Sequence, residues 1–126
     1  MGAEIVARLR RGLGTKAEII ALGTNATATE RMVKAGADRG ATGENAIAFT
    51  IARVDAVVGP IGIAIPNSMM GEITTAMANA IVNSPAPKFL LPLEQPHLVI
   101  VGLEAGKLAE RMEELVERLL ALNKAR

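Results

Sequence analysis

Apolar residues recur along this chain at two spacings, one typical of helices and one of buried strands. Ile5, Val6, Leu9 and Leu13 fall on one side of a helix, which predicts a helix over residues 2–13. Similar spacing predicts helices at residues 27–35, 69–82 and 104–123, and one that starts after Thr42. Short apolar runs predict buried strands at residues 17–22, 55–58, 88–91 and 98–103. For residues 37–41 the pattern does not decide between a short strand and a loop.

Two of these helices have capping signals at their predicted starts. Thr27 and Glu30 have the spacing of a capping box, in which a hydroxyl and a carboxylate pair with free backbone amides. Thr42 is a predicted N-cap, with Glu44 favourably placed in the following turn.

Strands that alternate with helices, each strand nearly continuously apolar, predict an α/β sandwich with a mostly parallel sheet. We expect a single domain over residues 1–126, because this length supports one core and hardly two. In doubly wound sheets the first helix normally leaves the end of a central strand, yet here a helix comes first. We therefore expect the sheet to lack its first strand.

Composition removes several classes of chemistry. The chain has no Cys, Tyr or Trp and a single His, His97, so thiol nucleophiles, disulfides, Cys-ligated zinc and Tyr proton donors are excluded, and we expect no metal site. The 14 basic and 13 acidic residues argue against a nucleic-acid or membrane partner. The longest apolar stretch, residues 56–65, is too short to span a bilayer, and the N-terminus has no signal peptide, so we expect a cytoplasmic protein.

Four motifs stand in order along the chain: Gly-Thr-Asn-Ala at 23–26, Ala-Thr-Gly-Glu-Asn-Ala-Ile at 41–47, Gly-Pro-Ile-Gly at 59–62 and Asn-Ser-Met-Met-Gly-Glu-Ile-Thr at 67–74. With these motifs the chain resembles a family of small, uncharacterised bacterial proteins of unknown function, over residues 2–103. The resemblance implies a Rossmann-like, three-layer sandwich. Members typically begin with a strand and a glycine-rich loop, D-G-Q-G-G-G-I-G, and Met1-Gly2 stands at its final I-G. We therefore expect a truncated form that starts at an internal Met.

Loops at the carboxyl ends of parallel strands meet at one edge of the sheet, where ligands bind. Four loops are expected there, at residues 23–25, 42–45, 59–68 and 94–95, and helix N-termini beside them favour anions. We expect a nucleotide or another phosphate-containing small molecule as the ligand. The candidate ligand-binding residues are Asn25, Thr42, Gly43, Glu44, Asn45, Gly59, Gly62, Asn67, Ser68 and Glu72.

The sequence leaves open the role of these residues, the type of ligand and the class of function. Gly, Asn and Thr at such positions also serve turns and caps with no ligand. The chain shows Gly23-Thr24-Asn25 where an NAD site has an acidic residue, which weakens NAD and leaves NADP, a mononucleotide or another phosphate ligand. An enzyme alternative is a small NAD(P)-dependent oxidoreductase or transferase with Glu44 or Glu72 as general base. The other functional alternative is a structural protein that forms a homo-oligomer without catalysis.

Overall fold

The computed structural model describes residues 1–92, 97–103 and 106–124. Helices and strands alternate along it, which confirms the predicted α/β class. In chain order the elements are α1 (Gly2–Leu13), β1 (Ile20–Gly23), α2 (Ala26–Lys34), β2 (Arg39–Thr42), α3 (Glu44–Ile51), β3 (Val57–Pro60), a 3-10 turn (Ile61–Ala64), α4 (Thr75–Asn83), β4 (Lys88–Leu91) and α5 (Leu108–Lys124). None of the helices in these ranges is long and apolar enough to cross a membrane.

The strands form two separate parallel pairs. β1 pairs with β2 and β3 pairs with β4, each over four residues. Residues 98–103 do not extend either pair, so the strand predicted there is wrong: Leu98 makes an isolated bridge, and Val99 and Val101 are 84% and 94% exposed. An apolar, β-branched run forms a strand only where a sheet edge and a packed face receive it.

Both pairs of strands lie between the same two layers of helices. Ala21 and Val58 pack in one apolar cluster, while their chain neighbours Leu22 and Val57 pack in another. Because successive side chains of a strand point to opposite faces, the two clusters flank the strands on opposite faces. The first cluster is built on α1 and α5, and the second on α3 and α4. The fold is therefore layered helix, strand, helix, with an interruption between β1 and β3.

The observed helix starts differ from the predicted ones. Asn25 caps α2, its Oδ1 accepting from Ala28 N at 2.8 Å, so the capping box predicted at Thr27 is wrong. Gly43 is the N-cap of α3, and the Thr42 hydroxyl instead lies 2.8 Å from the Thr29 hydroxyl, so the predicted Thr42 cap is also wrong. Asn25 has the extended backbone conformation typical of an N-cap, whereas Gly43 occupies the N-cap position of α3 with φ of 100°.

Two glycines let α2 pack closely on β1 and β2. A Cβ atom at Gly23 would lie 2.2 Å from Thr29 Oγ1, and one at Gly40 would lie 2.6 Å from Thr29 Cγ2. Real Cβ atoms do not approach other atoms so closely, so any larger residue would push the helix away from the strands. The close approach holds the end of β1 and the start of α2 in place.

Hydrogen bonds at the amino ends of the strands attach α1 to them. Arg10 Nε donates to Gly36 O at 2.9 Å, and Arg10 Nη2 donates to Asp38 Oδ2 at 2.6 Å. The same Asp38 oxygen accepts from Ile19 N at 2.8 Å. The backbone amide of Ile19 contributes most, and Arg10 next, to a pKa of Asp38 below its ordinary value. The C-terminal end of α1 is thus held beside the starts of β1 and β2.

Replacing Asp38 by Asn is expected to lower the thermal unfolding midpoint at pH 7 but not in strong acid. The pKa of Asp38 is lower in the folded chain than in the unfolded chain, where it is about 3.9. Its ionised form therefore stabilises the fold above about pH 4, and this contribution disappears as the pH falls through the folded-state pKa. Thermal melts from pH 7 to pH 2 measure the gap between the two proteins, and a gap that is independent of pH would contradict this account.

Candidate functional site

A carboxylate from a distant loop lies at the end of β1. Glu72 Oε1 accepts from Asn25 Nδ2 at 3.2 Å, and Glu72 Oε2 accepts from Thr24 Oγ1 at 3.3 Å. Asn25 is held in turn, because its Oδ1 caps α2. The amide of Asn25 thus has one end on the helix and the other on the carboxylate, which fixes its orientation.

A second carboxylate is attached to the same stretch of chain. Thr74 Oγ1 donates to Glu44 Oε1 at 2.5 Å and accepts from Met77 N at 3.1 Å, which caps α4. Because Glu72 and Thr74 are close neighbours in the chain, residues 72–74 bridge the loop after β1 and the loop after β2. We call Thr24, Asn25, Glu44, Glu72 and Thr74 the carboxyl-edge cluster.

Three members of the carboxyl-edge cluster, Thr24, Asn25 and Glu72, line a cavity of about 750 Å³ that residues of β1 and β3 also line. Met1 and Met69 contribute to the lining as well. The rest of the lining is mainly aliphatic and comes from α1, both strands and α3; it includes Ile5, Val6, Leu9, Ala21, Leu22, Ile47 and Val58. We call this space the central cavity. The cluster supplies the polar side chains of Thr24, Asn25 and Glu72 to this lining at the carboxyl end of β1.

The start of α3 offers backbone donors near the cluster. Its N-cap is Gly43, with φ of 100°, and no side chain caps the helix there. The first amides of a helix have no acceptor within the helix, and they carry the positive end of its dipole. Glu44 in this first turn keeps its carboxylate on Thr74. The start of α3 can therefore receive an acceptor oxygen of a ligand.

Hydrogen bonds within the loop after β3 explain the conformation that presents Glu72. The hydroxyl of Ser68 donates to the carbonyl of Gly62, and Asn67 N donates to Ile73 O at 2.7 Å. The loop is thereby closed on itself just before Thr74. Gly62, Asn67 and Ser68 shape the loop instead of pointing polar groups at the central cavity.

The tip of this loop has left-handed backbone geometry at Met69, Met70 and Gly71, with φ of 56°, 56° and 86°. Such a conformation costs about 1–2 kcal/mol for a residue with a side chain, so the surrounding hydrogen bonds must offset it. It also ends any helix here, which is why α4 starts at Thr75 and not at Met69 as predicted. Met70 is fully exposed at this tip.

The structure brings together only some of the predicted site residues. Asn25, Glu44 and Glu72 belong to the cluster. Thr42 bonds to Thr29, Gly43 caps α3, and Gly59 is buried at the end of β3. Among the described residues, Asn45 and Asn67 lie exposed outside the cluster's hydrogen bonds, and the predicted loop residues Glu94 and Gln95 lie outside the described ranges.

Sequence reasoning missed Thr24 and Thr74 as members of the site. Thr74 had a usable signal, since a Thr directly before an apolar helical pattern is a typical N-cap. The prediction of a helix from residue 69 concealed it. Within residues 1–92, 97–103 and 106–124, no group of three or more His, Asp or Glu side chains is arranged to hold a metal ion.

The fold and site define an α/β protein with two parallel strand pairs around a central cavity and a polar cluster at their carboxyl ends. The chain belongs to the DUF3842 family, described as a domain of unknown function, whose model matches residues 1–124. This confirms the resemblance to an uncharacterised family. No curated protein and no solved structure matches the chain.

Replacing Thr74 by Ala is expected to cost about 1 kcal/mol of unfolding free energy, because α4 loses its cap. The matched control is Thr27→Ala, which removes an exposed Thr hydroxyl in α2, whose cap is Asn25, and should change stability by less than about 0.5 kcal/mol. Urea unfolding of the three proteins gives both numbers. A larger loss at Thr27 than at Thr74 would mean that the capping assignments are wrong.

Proposed function

We propose that this protein binds a nucleotide at the carboxyl-edge cluster, with the ribose on Glu72 and a phosphate near the start of α3. The observation that carries the proposal is the position of Glu72, whose carboxylate is held at the end of β1 by Thr24 and Asn25. Thr24 and Asn25 directly follow the carboxyl end of β1, which pairs with β2 in a sheet separate from that of β3 and β4. In open α/β sheets, ligands bind outside the carboxyl ends of the strands.

Glu72 supplies the group that ribose recognition requires. In dinucleotide-binding sheets an Asp or Glu at the end of the second strand accepts hydrogen bonds from the ribose hydroxyls. In this chain Thr24 and Asn25 stand at that place in the sequence, and they hold the carboxylate of Glu72 there. A carboxylate favours free ribose hydroxyls and repels a 2′-phosphate. The proposal therefore favours NAD-type and ADP-type ligands over NADP.

The start of α3 supports the phosphate half of the proposal. It has no side-chain cap at Gly43, so backbone N–H groups of its first turn can donate to phosphate oxygens. Glu44 lies in the same turn and would oppose an anion if its carboxylate faced the ligand. Its hydrogen bond to Thr74 keeps one carboxylate oxygen directed at α4.

Thermal unfolding with millimolar ADP, NAD⁺ or NADP⁺ tests this function. We expect ADP and NAD⁺ to raise the unfolding midpoint and NADP⁺ to raise it less, since a ligand at about 100 times its dissociation constant adds about 2.7 kcal/mol. Glu72→Gln is expected to abolish most of the shift. The matched control is Glu18→Gln, which removes an exposed carboxylate paired with Arg39 at the other end of β1.

The results that would overturn the proposal are equally specific. An unchanged midpoint with all three nucleotides argues that this edge does not bind them. A shift that survives Glu72→Gln in full means that the nucleotide binds elsewhere. A larger shift with NADP⁺ than with NAD⁺ would mean that Glu72 does not contact the ribose.

A further inference from the structure

Met69 is the apolar residue that the loop after β3 places beside the carboxyl-edge cluster. Glu72 N donates to Met69 O at 3.1 Å, so one tight turn contains both residues. The side chain of Met69 is 42% exposed and lines the central cavity together with Thr24, Asn25 and Glu72. An apolar side chain with a large free surface is thus fixed next to the carboxylate of Glu72.

Met70, the next residue, has the same side chain and the same φ of 56° but a different position. It is fully exposed, and it does not belong to the lining of the central cavity. Left-handed backbone costs about 1–2 kcal/mol in Met, whereas Gly and Asn adopt it more readily. Hydrogen bonds from Asn67 N to Ile73 O at 2.7 Å and from Gly71 N to Asn67 O at 3.1 Å offset this cost. Strained backbone of this kind is concentrated at sites that hold ligands.

The lining of the central cavity contains no aromatic side chain among the residues that the structure describes. Of the two Phe residues in the sequence, Phe49 has the guanidinium of Arg53 3.7 Å from its ring centre, and Phe89 packs against the apolar cluster built on α1 and α5. A flat ring bound beside Glu72 would therefore pack on aliphatic groups or on a thioether. The thioether of Met is polarisable and makes favourable contacts with aromatic rings.

The covalent structure of a nucleotide brings its base close to Met69. In the proposed function the ribose hydroxyls lie on Glu72, and the base is bonded to the ribose carbon next to the one that carries the 2′-hydroxyl. We propose that Met69 forms a nucleobase subsite, in which its thioether packs on the ring of a purine whose ribose lies on Glu72. This inference rests on the proposed function and adds to it the side chain that recognises the base.

Methyl NMR tests the subsite in protein labelled with ¹³C at the methionine methyl groups, with ADP and ribose 5-phosphate as the probes. We expect ADP to move the Met69 methyl signal upfield, because a methyl group over the face of an aromatic ring is shielded by its ring current. Ribose 5-phosphate has no base, so we expect it to leave that signal in place. The signals of Met77 and Met112, which are 5% and 1% exposed, are internal controls that neither probe is expected to move.

Two matched variants measure the contribution of the contact to affinity. Met69→Ala is expected to raise the dissociation constant for ADP about 3- to 10-fold, which is the range of sulfur–aromatic contacts, and to leave that for ribose 5-phosphate unchanged. The same variant assigns the Met69 methyl signal by removing it. Met70→Ala removes the same side chain from the same backbone geometry one residue away, and we expect it to change neither dissociation constant.

Each contrary result has its own meaning. If Glu72→Gln weakens ADP binding but Met69→Ala does not, the base subsite is wrong while the proposed function stands. Equal losses in Met69→Ala and Met70→Ala would overturn the subsite as well, since the loop conformation and not the contact would then be responsible. An equal upfield shift of the Met69 signal with ribose 5-phosphate would also overturn it. If ADP changes neither the spectrum nor the unfolding midpoint, the proposed function itself fails, and the subsite fails with it.

Discussion

The backbone of a strand buried on both faces must find hydrogen-bond partners along both edges, and this constraint governs the whole molecule. β1 and β3 are packed on both faces by the two apolar clusters. Within the ranges that the structure describes, each is paired with a strand along one edge only. The open edges of β1 and β3 face the central cavity, so the cavity lies within the layer of strands.

The carboxyl-edge cluster depends on the same interruption. The end of β1 is held by close packing of α2 over Gly23, which places Thr24 and Asn25 in the lining of the cavity. The loop after β3 has left-handed geometry at its tip, and its Glu72 accepts hydrogen bonds from both residues. Polar groups from separate parts of the chain therefore meet at the carboxyl end of β1, the end of the strands at which α/β sheets usually bind ligands.

Much of the fold was predictable because its helices carry periodic apolar stripes. The bounds of α1 and β4 agree with the prediction to the residue, and the buried face of α1 is the predicted one. The strand at residues 98–103 was predicted wrongly, because an apolar run does not reveal whether a sheet edge accepts it. The start of α4 was missed because Met is common in helices, and the left-handed turn at Met69 and Met70 follows from the closure of the loop.

The carboxyl edge of the strands was predictable as the place of the candidate site, but the contacts within the site were not. Asn25, Glu44 and Glu72 follow from motif position, whereas the pairing of Glu72 with Asn25 spans 47 residues and depends on how the loop after β3 returns. Contacts of this kind depend on tertiary packing, and no residue spacing in a single sequence indicates which distant residues will meet. Thr74 was missed for a local reason, because the helix that it caps was predicted to start at residue 69.

Amide hydrogen exchange in the 126-residue chain tests the central claim most directly, because it reports on individual backbone groups. An interrupted sheet predicts rapid exchange at Ile20, Leu22 and Val58, because their amides point away from the paired strand. It predicts slow exchange at Ala21 and Gly59, whose amides point toward the paired strand. Equal protection of both sets would show that the open edges of β1 and β3 are already paired, and would contradict the account.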